Sequence, residues 1–463
     1  MNTASKTGYT PQTDRLGLLH RGISVTLTVL LMFYLSVCVT SLEPKLALMT
    51  AAICLFIGGK RLLDANIWPM LAIIGYGTFL GVFFPGSKPG IGLILQQPLY
   101  LLDCVLLSAL VLGGQSLRRQ YVLLLGILAV SMIGTIGDVL GHDMTALLPF
   151  QMPEDAYFDQ VTLIAGNISR VRGFFPESGV LGAVSLGFGT MLGVGAVVLI
   201  GLRAHVRLAW LALLGAVSMG GAIFCLTITK SGLGMVGAGF AGYLAVLMVA
   251  RNPRCRAFAV VALAGLVIAG GAFLVAGPSS LTTYFRGEIT AIIHPYDMGA
   301  SLASGHGGMI TRYKCWLLAF TSLRYYPLGV GPYGLGAVVQ QVGEAGLTNE
   351  MQFFFTRDVF GLKNALANLV ADCGVVGIGL LFFWMWVAFV QPIRELLADG
   401  SGRSAMIAGV YGASALSCLV FLFSCELYPS LAFLLVLKCH ADAVAQACAP
   451  KPRADAESFE LIG

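Results

Sequence analysis

Seven ionisable residues sit inside or beside long apolar runs: Arg170, Arg172, Glu177, Lys230, Arg312, Lys363 and Asp372. They come from four separate stretches of chain. A charge held at such a place is costly, so each is a functional candidate. Lys230 stands in Thr229-Lys230-Ser231, a turn with almost no spacer between two apolar runs. It either snorkels to the surface or meets an anion at the start of the following helix. Glu177 enters its run in Arg172-Gly-Phe-Phe-Pro-Glu177-Ser. Pro176 suits a first helical turn and Glu177 suits the positive helix end. Glu177 is therefore either a capping acid paired with Arg172 or a carboxylate held at the mouth of a helix bundle. Asp103, Asp138 and Glu426 read as caps or interhelical hydrogen-bond partners.

The elements that position these residues follow from composition. Of 463 residues, 57% are hydrophobic and only 11% charged, and mean hydropathy is +0.84. An ordinary soluble domain carries about a quarter charged residues. This excludes a soluble enzyme, a disordered regulator and a nucleic-acid-binding module. The net charge of +5, from 28 basic and 23 acidic residues, is too balanced for a polyanion partner. The 11 cysteines form no CxxC pair and no metal-ligand spacing, so they read as buried small hydrophobes rather than disulfides or a zinc site. The 58 glycines suit closely packed membrane helices.

Apolar runs fall at 22–40, 46–59, 66–84, 91–113, 121–140, 177–201, 208–228, 231–250, 257–276, 367–390, 404–424 and 427–442. The expected fold is an all-α polytopic membrane protein of about 12 transmembrane helices, with 46–59 and 427–442 the shortest runs. Lys60-Arg61, Arg118-Arg119, Arg203/Arg207, Arg251/Arg254/Arg256 and Arg394/Arg403 fall in alternate short loops. That alternation places them, and both termini, on the cytoplasmic side. The organisation is then a cytoplasmic tail 1–21, helices 1–9 within 22–276, a large external loop 277–366 between helices 9 and 10, helices 10–12 within 367–442, and a cytoplasmic tail 443–463. A second external loop spans 141–176. Within the large loop, 309–324 has helical periodicity. Met309, Ile310, Tyr313, Trp316, Leu317, Phe320 and Leu323 share a face of about 140°, bordered by Arg312 and Lys314. It reads as an interfacial helix with its apolar face down, or as a plain packing helix with snorkelling cations. Pro327-Leu-Gly-Val-Gly-Pro332-Tyr-Gly then makes a rigid, sharply turning segment that is no span.

Four local patterns resemble the superfamily of O-antigen ligases and Wzy-type polysaccharide polymerases. Arg172-Gly-Phe-Phe-Pro-Glu177-Ser resembles the R-x-G-x-F-x-E-P-S entry of exopolysaccharide polymerases, with Ser178 where Pro is common. Leu226-Thr-Ile-Thr-Lys230-Ser-Gly resembles their T-x-S-R turn, with Lys for Arg. Thr311-Arg312-x3-Trp316 followed by Pro327-Leu-Gly-Val-Gly resembles R-x3-W…P-x-G-x-G. Lys363-Asn364-x9-Gly374-x2-Gly377 resembles H-N-x9-G-x2-G, with Lys363 where ligases and many polymerases carry a histidine. Order and placement extend the likeness over about residues 120–390.

The resemblance implies transfer of a glycan from a polyprenyl diphosphate carrier to a sugar hydroxyl of another repeat unit, on the periplasmic face of the bacterial inner membrane. The leaving diphosphate gains charge, so fixed cations should face it. Arg312, Lys230 and Arg172 are the expected cations, and Asn364 and His306 join Arg172 and Lys230 as substrate contacts. The proton of the attacking hydroxyl needs an acceptor. Glu177 is the first candidate and His306 the second. Lys363 is expected to act as a charge, since a lysine base requires a strongly lowered pKa. No acidic metal cage occurs in the external loops, so no metal or other cofactor is expected. The partners implied are the lipid-linked oligosaccharide, membrane lipid and a chain-length regulator or export protein. The alternative within the family is ligation to lipid A core, which the histidine-to-lysine departure disfavours. A secondary transporter is the rival class. Against it, the central Arg203–Arg207 loop is short, the long loop is late and external, and no six-plus-six repeat is visible. A pure scaffold would have no need of external cations from four segments. The topology predicts that, on a cysteine-depleted background, an impermeant thiol reagent added from the periplasmic side labels Gly343→Cys and not Gly400→Cys. The reverse pattern would invert the arrangement.

Overall fold

The computed structural model describes residues 66–84, 91–113, 116–142, 144, 178–227, 230–276, 307–332, 334–335, 338, 364–424 and 427–449. These residues form an all-helical polytopic membrane protein; no strand occurs among them. The helices are α1 (Trp68–Phe83), α2 (Ile91–Leu112), α3 (Leu117–Val139), α4 (Ser178–Gly201), α5 (Val206–Thr227), α6 (Lys230–Val249), α7 (Pro253–Ala276), α8 (Gly307–Tyr325), α9 (Ala365–Met385), α10 (Gln391–Ala398), α11 (Gly402–Ser424) and α12 (Leu427–Cys448). A π-helical turn, Trp386–Val390, joins α9 to α10. Eight of the resulting continuous helices are long and apolar enough to cross a membrane, and α1 and part of α2 are shorter apolar helices. The expected runs at 22–40 and 46–59 lie outside the described residues.

Helices dominate because a chain in hydrocarbon must satisfy its main-chain polar groups within each segment. Two expected limits move. The run 427–442, expected to be short, belongs to the 22-residue helix α12. The run 367–390 lies within a 34-residue helical stretch from Ala365 to Ala398 that is interrupted at Gly374. The part after the interruption, 375–398, spans about 36 Å at 1.5 Å per residue, longer than the roughly 30 Å of a hydrocarbon core. Its excess includes α10, none of whose residues is buried.

The core forms around α12. Every residue from Leu431 to Leu437 is at most 1% exposed, which an all-round apolar helix requires of its neighbours. Phe433 stacks on Phe421 of α11 at 3.9 Å and packs on Phe188 of α4 at 4.8 Å. Glycine sets the closest approach. Gly242 of α6 lies against the main chain of Gly412 in α11, and Gly234 of α6 against Val420. The Gly234-Ala238-Gly242 spacing is thus a packing face, since small residues let helix backbones meet. These pairings run in opposite directions, so α6 and α11 are antiparallel. At the rim, α7 buries almost nothing, and Val261 and Ile268 are 71% and 70% exposed.

The basic turns collect at one end. The α6–α7 turn, capped by the Asn252 side-chain oxygen on the Arg254 and Cys255 amides, touches Gly402 through the Cys255 thiol. The Arg403 guanidinium donates to the Cys448 carbonyl at the end of α12. Arg251, Arg254, Arg256, Arg394 and Arg403 therefore share this end. The starts of α4, α6 and α9 lie at the other.

The segment 309–324, read either as an interfacial helix or as a packing helix, belongs to α8, and its described part packs on the bundle. Among the described side chains Cys315, Leu318, Ala319 and Ser322 are buried, Trp316 and Leu323 are partly buried against the core, and Phe320 is 59% exposed. After Tyr325 the chain turns through Pro327–Pro332 and wedges between α1 and α9.

That wedge breaks α9. Gly374 has φ 54° and ψ −148°, a conformation essentially confined to glycine. In an unbroken helix the Val375 amide would donate to the Ala371 carbonyl. Instead Val375 donates to the Pro327 carbonyl (2.9 Å), and the Ala371 carbonyl accepts from the Val330 amide (3.0 Å). The Gly331 amide donates to the Asp372 carbonyl (2.9 Å). A Cβ at Gly374 would collide with the Pro327 carbonyl. Gly374→Ala is expected to cost at least about 1–3 kcal/mol of stability. Gly379→Ala, a position with open space around it, is the control and should be neutral or slightly stabilising. Thermal unfolding of the two purified variants in detergent measures the difference; equal melting would remove the break as a stability determinant.

Candidate functional site

Asn364 anchors the start of α9. Its side-chain oxygen accepts from the Ala367 amide (3.0 Å), the bond of a helix N-cap. Its amide nitrogen donates to the Phe423 carbonyl (3.2 Å) in the last turn of α11. The Phe423 ring meets Trp316 of α8 at 5.4 Å. Three helices therefore converge at one end of the bundle on Asn364, Phe423 and Trp316.

Arg312 is one helical turn before Trp316 in α8. The later part of α8 runs antiparallel to α9. Trp316 is level with the start of α9, and the turn after Tyr325 reaches Gly374. The turn carrying Arg312 thus lies at the same end as Asn364, the residue that follows Lys363. Lys230 is the first residue of α6 and sits at the end where the antiparallel α11 finishes. Ser178, next after Glu177, opens α4. The α4 helix runs parallel to α6, with Gly187 against Met235 and Thr190 and Met191 against Gly239. Four segments far apart in sequence therefore begin or turn at one end of the bundle. Arg172, Glu177, His306 and Lys363 themselves lie outside the described residues.

Below this end, the Pro327–Pro332 turn closes the space between α1 and α9. The Tyr76 hydroxyl of α1 donates to the Leu328 carbonyl (2.8 Å). Phe84, just after α1, packs edge-on against Tyr326 (5.0 Å). Gly331 has φ 72° and lies against the Gly81 main chain, where a Cβ would clash. Cys315, Leu318, Ala319, Val330, Ala367, Val370 and Ala371 make a small apolar cluster behind the turn. The two glycines of Pro327-Leu-Gly-Val-Gly and Gly374 are thus parts of one joint, linked by main-chain hydrogen bonds.

Asp372 lies in the residue pair before the break and is 9% exposed. Asn364, Asn368 and Asp372 recur every four residues on α9, so they form one polar stripe on an otherwise apolar helix. All three are buried. Tyr76 was not legible in the sequence, because a single tyrosine in an apolar run carries no positional signal. No group of three metal-ligating side chains occurs among the described residues. The cysteines resolve as expected for small hydrophobes in Cys315, Cys373, Cys418, Cys439 and Cys448, which are buried and form no disulfide among the described residues, whereas Cys225 is exposed.

Neither a protein-family model nor a curated protein sequence matches this chain.

Asn364→Ala removes both the cap and the tie to α11. A lost N-cap costs about 1 kcal/mol, so the variant should melt earlier than the parent in detergent. Asn364→Ser keeps a cap acceptor and should recover part of the loss. A parent-like melting temperature for the alanine variant would show that the α9–α11 tie is dispensable.

Proposed function

We propose that this chain is a membrane-embedded polysaccharide polymerase. It moves a glycan from a polyprenyl diphosphate carrier to the sugar hydroxyl of another repeat unit, at the external face of a bacterial inner membrane. The observation that carries the reading is the convergence at one end of the bundle. The starts of α4, α6 and α9 and the Arg312 turn of α8 meet there, at the opposite end from the arginine-rich turns. The helix starts add their own partial positive charge, which suits an anionic headgroup.

In this reading the diphosphate lies at the helix starts, facing Arg312, Lys230 and Arg172. The bond between the carrier phosphate oxygen and the anomeric carbon breaks, and its electron pair leaves with the diphosphate. Cations fixed in advance stabilise that growing charge in a site shielded from water. Lys363 adds a further point charge, and Asn364 and His306 contact the glycan. Glu177 is the expected neighbour of the reacting hydroxyl. The polyprenyl tail stays in lipid, against the apolar flank of the bundle.

Ligation to lipid A core is the alternative, separated by product. Purified protein given lipid-linked oligosaccharide makes a ladder of longer polymers if it is a polymerase. A single transfer to a lipid A acceptor indicates a ligase, and no product favours transport. Arg312→Ala should abolish polymer while membrane levels hold, and Arg312→Lys should recover little because the guanidinium fork is lost. Lys363→Arg should keep appreciable activity and Lys363→Gln should lose about thirty- to thousand-fold, the scale of one lost charge-assisted contact. An arginine variant as inactive as glutamine, with normal insertion, would make Lys363 a proton acceptor instead.

A further inference from the structure

The turn from α6 into α7 carries Arg251, Arg254 and Arg256, with no acid between them. The turn is tied down on both sides. The Asn252 side chain caps α7, the Cys255 thiol reaches the Gly402 carbonyl, and the Arg251 side chain runs beside Gly400 in the turn before α11. No acid answers the three arginines. The Arg256 guanidinium donates to the Arg251 carbonyl (3.0 Å), a neutral acceptor, and the Arg251 and Arg254 side chains make neither a hydrogen bond nor an ion pair among the described residues. The acids of α10 and its turn, Glu395 and Asp399, accept instead from Gln391 and Ser404. The other two arginines of this end are occupied. Arg394 lies over the Trp386 ring (5.6 Å), and Arg403 donates to the Cys448 carbonyl. Three like charges held on one tied turn repel one another, so the turn suits an anion.

The surface below the arginines decides what kind of anion. The α7 helix turns Cys255, Ala259 and Ala262 toward the bundle and nearly everything else outward. Arg254 heads a second face, with Phe258, Val261, Gly265 and Ile268 beneath it at spacings of four and three. The three large side chains are exposed, and Gly265 has open space where a side chain would stand. From Phe258 to Ile268 is about 15 Å, half of a roughly 30 Å hydrocarbon core and thus the depth of one leaflet. Helical side chains slope toward the helix start, so Arg254 leans toward the end of the bundle and not toward the middle of the membrane. A soluble anion has no use for the apolar face, and a neutral lipid has no use for the cations.

We propose that the α6–α7 turn and the outward face of α7 bind an anionic phospholipid. Its phosphate lies among Arg251, Arg254 and Arg256, whose planar forks grip phosphate oxygens. An acyl chain runs along Phe258, Val261 and Ile268. The site stands at the opposite end of the bundle from the convergence of α4, α6, α8 and α9, and it does not rest on the glycan-transfer reading.

Native mass spectrometry of the full-length chain tests this. The purified chain is stripped of lipid in a neutral detergent and titrated separately with phosphatidylglycerol and phosphatidylcholine. Phosphatidylglycerol should be retained in preference. The double variant Arg254→Gln with Arg256→Gln should bind it about thirtyfold more weakly, a factor of about five for each arginine. The control is Arg203→Gln with Arg207→Gln in the α4–α5 turn. That turn is at the same end, with Gly201 against Met406 just after the start of α11. The control removes as much charge and should leave the affinity largely unchanged. Equal retention of the two lipids by the parent overturns the proposal. Equal losses in the two double variants also overturn it, because the preference would then follow net charge alone. Thermal unfolding supplies the second readout. Phosphatidylglycerol should raise the melting temperature of the parent, and inorganic phosphate at the same concentration should not. An equal rise with phosphate would mean an anion site without a lipid face and overturns the proposal. So does an Arg254/Arg256 variant that melts below the parent by the same margin in both lipids, since its arginines would then answer an acid of the protein.

Discussion

The structure depends on an exchange of main-chain hydrogen bonds between the Pro327–Gly331 turn and the broken helix α9. In an apolar medium an unpaired amide or carbonyl costs several kcal/mol, so a helix breaks only where something replaces its bonds. Here the turn supplies a carbonyl for Val375 and amides for Ala371 and Asp372. The turn in turn needs α9, which accepts from its Val330 and Gly331 amides and donates to its Pro327 carbonyl. Each element makes the other tolerable, and α8 and α1 are fastened to α9 as a consequence.

This joint explains two oddities together. The turn was expected to be rigid and to cross nothing, and it is rigid because two prolines and its glycines fit it between α1 and α9. The later part of α8 packs on the bundle through Cys315, Leu318, Ala319 and Ser322, close enough for the turn to reach Gly374. Phe320 is left outside, as are many apolar side chains on α5 and α7, and lipid is the natural solvent for such surfaces.

The bundle also separates its ends chemically. One holds the arginine-rich turns tied by Asn252, Gly402 and Arg403. The other holds the starts of α4, α6 and α9, the Arg312 turn and the Asn364 tie. A membrane protein with its cations gathered in this way presents two different surfaces to its two sides. The proposed chemistry uses the end with fewer exposed arginines but more helix starts, where fixed dipoles and a few placed charges meet a diphosphate.

How much of this the sequence determined depends on range. Local pattern was enough for the helical membrane class, for α1 to α7, α9 and α11 within a few residues, for α8 as a helix, and for the Gly234-Ala238-Gly242 packing face, because hydropathy and periodicity are written in neighbouring residues; it missed α10 and the last turns of α12, where the chain is less apolar. The sequence also marked Arg312 and Asp372 as ionisable residues beside apolar runs, while Asn364 and Gly374 were marked only by the family resemblance. It did not say which face of α8 is buried, since an apolar stripe suits lipid as well as protein. It could not show that Pro327–Gly331 replaces the missing bonds of Ala371 and Val375, or that Tyr76 holds Leu328, because those partners are tens to hundreds of residues apart and are joined through main-chain atoms that carry no sequence signature. Only the tertiary structure decided that α9 breaks at Gly374, because the break needs the Pro327–Gly331 turn to be carried alongside it by α8 and α1.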